Sequence, residues 1–180
     1  CTPTTPTTPT TPTTPATTVT TVAGTEGSLT AKVAPVFVES SLKWGDTQKP
    51  VLAAKLEAKN SDITVKRVDV DITGTKTILP WKTFTSFSLY NGDTLVKTIN
   101  ATKENFIEVE FGTRYTLRFD NISIVVPKDS SINLVLKADI LSNPEIKELD
   151  YQFALLSQAI RGVDTAGVDQ YAGAGSNYGE

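Results

Sequence analysis

The chain has 180 residues, with 17 basic and 20 acidic side chains, a net charge of −3, one cysteine, and neither histidine nor methionine. With no basic field to attract phosphate, nucleic acid is not an expected partner. Without histidine the commonest general base and transition-metal ligand is missing, and a single cysteine forms neither an internal disulfide nor a zinc cluster. These gaps point away from enzyme chemistry, so no catalytic residue, cofactor-binding residue or small-molecule substrate is expected.

Residues 1–22 form the first segment. Cys1-Thr-Pro is followed by Thr-Thr-Pro repeats to Pro15, which places five of the ten prolines at strict three-residue spacing. Polyproline II has three residues per turn, so the prolines line one edge of an extended stalk, about 45 Å long at about 3.1 Å per residue. Thr/Pro-rich stalks are also the composition of O-glycosylated surface linkers, which makes Thr4, Thr5, Thr7, Thr8, Thr10 and Thr11 glycosylation candidates. A disordered linker is the alternative reading. Cys1 stands where a mature bacterial lipoprotein carries its lipid, ahead of a polar spacer and a folded domain. Read that way it is the lipid anchor and membrane lipid is a partner; otherwise it is only where the sequence starts.

Residues 23–172 read as one domain in which hydrophobicity repeats every second residue. Leu29, Ala31 and Val33 alternate with polar neighbours, Pro35 interrupts, and Val36-Phe37-Val38 follows as a short second piece. Leu52, Ala54, Leu56 and Ala58 form the next strand. From Ile63 the apolar phase runs Ile63, Val65, then shifts to Val68, Val70 and Ile72. A one-residue slip exchanges the two faces of a strand, so Lys66-Arg67 marks a bulge or a crossing between sheets.

Phe84–Tyr90 and Thr94–Ile99 flank Asn91-Gly92-Asp93, a strong hairpin signal. Further strands are expected at Phe106–Phe111, Tyr115–Phe119, Ile132–Ile140 and Tyr151–Ile160, and Pro144–Leu156 could start helically before its alternation takes over. The expected fold is all-β: an antiparallel, Ig-like β-sandwich of about eight or nine strands, preceded by the stalk and followed by a flexible tail at 173–180.

Asp69 and Asp71 sit two apart on a strand, so their carboxylates share a face about 7 Å apart. They read as weak calcium ligands or as a charged outer face opposite Val68, Val70 and Ile72. Asp164 and Asp169, around a Gly-Val-Asp-Thr-Ala-Gly loop, invite the same two readings. Calcium is therefore the sole cofactor to consider. Trp44 and Trp81 suggest either a sugar-stacking platform or rings closing the ends of a sandwich. Asn100-Ala-Thr102 and Asn121-Ile-Ser123 match the N-glycan acceptor pattern. A lysine–asparagine isopeptide bond would need a buried lysine, and Lys66 at the phase slip is the one to inspect.

Six segments form an ordered series: Gly24–Leu29, Ala58–Ile63, Leu79–Phe84, Ser88–Gly92, Val126–Asp129 and Arg161–Asp164. The series resembles the β-sandwich module of large secreted cell-surface proteins in candidate-phyla bacteria with very small cells. Nearly all of Gly24 to Ala172 is covered. The resemblance implies an extracellular, cell-envelope protein without enzymatic activity, a subunit of a surface layer (S-layer) or filament. Some members carry a peptidoglycan-binding module where this chain has the stalk and Cys1, so wall attachment of that kind is not implied. The expected partners are identical subunits in an oligomer or lattice, together with the cell envelope. A monomeric glycan-binding or adhesion module, displayed on the same stalk, is the alternative.

Overall fold

The computed structural model describes residues 24–34, 38, 41–144 and 150–176. Cys1, the threonine candidates, the stalk and most of the expected 36–38 strand lie outside them, as do 145–149 and the last four residues. Thirteen strands form among the described residues, all paired antiparallel. They are β1 (Ser28–Val33), β2 (Lys49–Lys59), β3 (Ile63–Gly74), β4 (Phe84–Asn91), β5 (Thr94–Asn100), β6 (Phe106–Glu110), β7 (Arg114–Phe119), β8 (Ile124–Val126), β9 (Ser130–Ile140), β10 (Tyr151–Leu155), β11 (Ile160–Asp164), β12 (Asp169–Ala172) and β13 (Gly175–Ser176). One sheet runs β1-β2-β9-β4-β5, and the larger one is built around β3. The two pack face to face as a β-sandwich, the fold class the alternation implies.

β3 organises the larger sheet because it is long enough to take two partners on each edge. On one side β11 pairs with its first half and β10 with its second. On the other side β8 and β7 divide it in the same way. The phase slip is a bulge: Arg161 faces Arg67 and Gly162 faces Val65, leaving Lys66 as the extra residue. The bulge keeps Ile63 and Val65, then Val68, Val70 and Ile72, all turned into the core. Gly162 is required beside it, since a Cβ there would come within 2.7 Å of the Ile63 side chain. Lys66 itself is exposed, which removes the buried lysine an isopeptide bond would need.

The core is contributed by both inner faces. Leu52, Leu56, Leu134, Leu136 and Leu89 of the smaller sheet meet Val68, Val70, Ile72 and Leu117 of the larger. At one end of the sandwich the aromatic rings cluster: Phe87 lies 4.8 Å from Phe84 and 6.1 Å from both Phe106 and Phe153, centroid to centroid. Tilted and edge-on arrangements of this kind add to the area they bury.

The sequence reading differs from the fold in three places. Tyr151–Ile160 is two strands, not one, because the chain turns at Ser157-Gln158 to pass from the second half of β3 to its first; Gln158 takes a φ of 65° there. The hairpin loop is Gly92-Asp93, with Asn91 still paired to Thr94, and only the glycine of this loop has positive φ. Pairing also continues past the boundary read at 172, since Gly175 and Ser176 pair with β10. The division of Tyr151–Ile160, together with β8, β12 and β13, which are too short to show alternation, accounts for the higher strand count.

Phe87 is fully buried and Phe111 is 94% exposed, so the same truncation has opposite consequences at the two sites. Phe87→Ala is expected to cost about 3–5 kcal/mol in urea unfolding, and Phe111→Ala to stay within about 0.5 kcal/mol. Comparable losses at both sites would contradict this core assignment.

Candidate functional site

The outer face of the larger sheet carries the most distinctive side-chain arrangement. Alternation along β3 turns Asp69, Asp71 and Thr73 outward, opposite the residues it buries. Register then places Asp69 across from Arg118, and Asp71 diagonally next to Arg114. The Arg118 Nε and Nη2 donate to the two oxygens of Asp69 at 2.9 and 3.1 Å. Arg114 Nε reaches both oxygens of Asp71 at 2.9 and 3.0 Å, and Thr73 Oγ1 donates to Asp71 Oδ2 at 3.2 Å. Hydrogen bonding to these carboxylates holds the Arg114 and Arg118 guanidinium pKa values above their ordinary range. Arg67 Nε lies 3.3 Å from Asp69 Oδ2 but out of hydrogen-bond alignment.

Over this ladder runs an open groove of about 290 Å³. Asp69, Asp71, Arg114, Thr116 and Arg118 form its floor. Ile107 and Val109 of β6 form one wall, and the β10–β11 turn with Leu156 and Gln158 forms the other. Ile107, Val109 and Leu156 are 47%, 48% and 39% exposed, and Phe111, in the turn after β6, is also exposed. The groove therefore has apolar walls and a floor of mutually neutralised charges.

Each carboxylate is already bound by a guanidinium, which removes the free acid or base that hydrolysis by paired carboxylates requires. Arginine side chains thus meet the oxygens of Asp69 and Asp71 that the calcium reading assigns to a cation. Asp169 is taken by Arg161 Nη2 at 2.7 Å. Among the described residues no group of three or more His, Cys, Asp or Glu side chains converges as a metal site.

Asp164 has a different role. Its carboxylate accepts backbone N–H groups from Gly27 (2.9 Å), Ala166 (3.0 Å) and Val168 (2.9 Å), and the Gln170 amide at 3.1 Å. The Gly27 hydrogen bond, followed by those in its own turn, holds its pKa below the ordinary value near 3.8. It fastens the start of the domain to the β11–β12 turn, assisted by Ser61 Oγ, which lies 2.7 Å from Thr165 Oγ1.

The two tryptophans do separate jobs. Trp81 closes the core end, edge-on to Tyr115 at 5.4 Å and tilted to Phe106 at 6.0 Å. Trp44 is 44% exposed beside the Gly45 turn. Asn100 and Asn121 are both exposed, at the end of β5 and in the β7–β8 turn.

Sequence reasoning missed the β6 stripe, although a signal was present. Phe106, Ile107, Val109 and Phe111 fall on both parities of one strand, so they cannot all face a single core. It also missed a polar network on the outer face of the smaller sheet. There Asp139 accepts the Gln48 backbone N–H and the Ser86 hydroxyl, both at 2.6 Å, while Lys137 Nζ sits 4.2 Å above the Tyr90 ring.

No protein-family model and no curated protein matches the chain. Among solved structures, a chain in the crystal structure of a CaDoc0917–CaCohA2 complex is similar at 15% identity and a TM-score of 0.33, covering 82% of this chain and 99% of that one. A likeness so distant bears on neither family nor function, and the sandwich stands on its own strand pairing.

A carboxylate whose folded pKa is depressed stabilises fully above its unfolded value, and that contribution fades as pH falls through the folded value. Asp164→Asn is therefore expected to lower unfolding free energy at pH 7 and to flatten the decline below about pH 4, so that mutant and wild type converge in acid. Parallel acid profiles, measured by denaturant unfolding at several pH values, would contradict this role.

Proposed function

We propose that the domain is a non-enzymatic assembly module of a cell-surface protein, displayed on the Thr/Pro stalk, that associates with other protein through the β6 side of its larger sheet. One observation carries this reading: Ile107 and Val109 of the edge strand β6, both about half exposed, line the groove, and Phe111 in the turn that follows is 94% exposed. Contiguous exposed apolar surface on a folded domain marks a contact surface. The other flanks are better guarded. Lys97 Nζ crosses from β5 to the carbonyl and carboxylate of Asp120, both at 2.8 Å, and β12 carries the Arg161–Asp169 pair with Arg161 against the Tyr171 ring.

A structural role rather than a catalytic one is supported by the absence of histidine from the sequence and by the engagement of the groove carboxylates with arginine. Extracellular display in a layer or filament rests on the stalk composition and on the likeness to surface-protein modules. Lipid attachment at Cys1 and glycosylation of the stalk threonines, Asn100 or Asn121 belong to the same reading.

In sedimentation velocity the full chain is expected to self-associate with rising concentration. Ile107→Lys combined with Val109→Lys is expected to weaken that association by about tenfold or more, with an unchanged melting temperature. A wild-type chain that stays monomeric at every concentration, above all one retained on a glycan surface, would contradict the proposal.

A further inference from the structure

The Asn91-Gly92 pair at the β4–β5 hairpin carries chemistry beyond its turn. Asn91 is the only asparagine in the sequence that a glycine follows. Glycine has no side chain to crowd its own nitrogen, so that nitrogen can approach the preceding carboxamide and attack it. We propose that Asn91 is a site of spontaneous deamidation, and that the pairing of β4 with β9 holds the reaction off in the folded domain.

The reaction needs only water. The Gly92 N–H gives its proton to hydroxide, and the nitrogen lone pair forms a bond to Asn91 Cγ. The carboxamide C–N bond then breaks, and ammonia leaves after taking up a proton. Water opens the resulting succinimide ring at either carbonyl, which leaves aspartate or isoaspartate at position 91.

The first step is restrained by one hydrogen bond. Gly92 N–H donates to the Asn133 carbonyl at 2.8 Å. That bond keeps the proton on the attacking nitrogen and fixes the peptide plane, and both oppose attack. Crowding supplies no protection, because Gly92 is exposed and a Cβ there would meet nothing within 4 Å. Asn91 is itself paired on both edges, with Thr94 of β5 and Leu134 of β9. Freeing the Gly92 nitrogen therefore requires the end of β4 to part from β9, a local opening.

Conversion would change the hairpin that delayed it. Aspartate at 91 brings a new negative charge two residues from Asp93. Isoaspartate runs the main chain through Cβ, and the extra atom breaks the period of two that holds β4 between its partners. The modification is thus an irreversible record of copies in which β4 has opened.

The test follows conversion at residue 91 by peptide mapping of the full chain in mildly alkaline buffer. Conversion is expected to run about tenfold or more faster in urea that unfolds the protein than in the folded state. Leu134→Ala, which loosens β9 opposite Asn91, is expected to convert at an intermediate rate without urea. Asn91→Gln is expected to abolish the fast conversion, since a larger ring must form. Hydrogen exchange supplies a reading that needs no variant: the Gly92 amide is expected to be protected in the folded wild type. Equal conversion in folded and unfolded chain would overturn the proposal, as would a Gly92 amide that exchanges like an unstructured peptide. A fast conversion that survives Asn91→Gln would place the reaction at another asparagine and overturn it as well.

Discussion

The structure depends on keeping one long strand in phase with the core. β3 is bonded along both edges, and its inward residues supply the centre of the larger sheet. Side chains alternate with a period of two, so the single extra residue at Lys66 would turn the rest of the strand inside out unless the sequence shifted as well. It does shift, from Ile63 and Val65 to Val68, Val70 and Ile72. The partner strand accommodates the bulge with Gly162, where the Ile63 side chain leaves no space for a Cβ.

That same phase sets the outer face. Once Val68, Val70 and Ile72 point inward, Asp69, Asp71 and Thr73 must point outward, and pairing with β7 delivers Arg114 and Arg118 to them. Asp71 is buried and Asp69 half-buried, so these pairs also satisfy carboxylates that have little access to water. Their larger consequence is chemical: they turn a row of carboxylates into a neutral floor. The β6 wall then stands out as apolar surface bordering a floor of paired, balanced charges.

Much of this was legible in the chain, though unevenly. The long alternating runs at Leu52–Ala58 and Ile132–Ile140 identify strands because one face of each is buried and the other is not. The phase slip at Lys66-Arg67 is visible for the same reason. β8, with three residues, and β12, with one buried side chain, offer too few positions for a period to register. Asp69 and Asp71 meet long-range partners, as Asp164 does in Gly27, whereas Asp169 meets Arg161 only eight positions away. Arg118 lies 49 positions from Asp69, and Gly27 lies 137 from Asp164. Nothing local to either aspartate announces such neighbours. The groove was hidden in the same way, because its two walls come from β6 and from the β10–β11 turn and meet only across β7 and β3.

The most direct test of the β6 side as a contact surface is amide hydrogen exchange in the full chain over a range of protein concentrations. The account predicts that amides of residues 106–111 and of the 156–159 turn slow as concentration rises, while those of β1, β5 and β12 do not change. Exchange across β6 that is independent of concentration, in a protein that nonetheless associates through another flank, would contradict it.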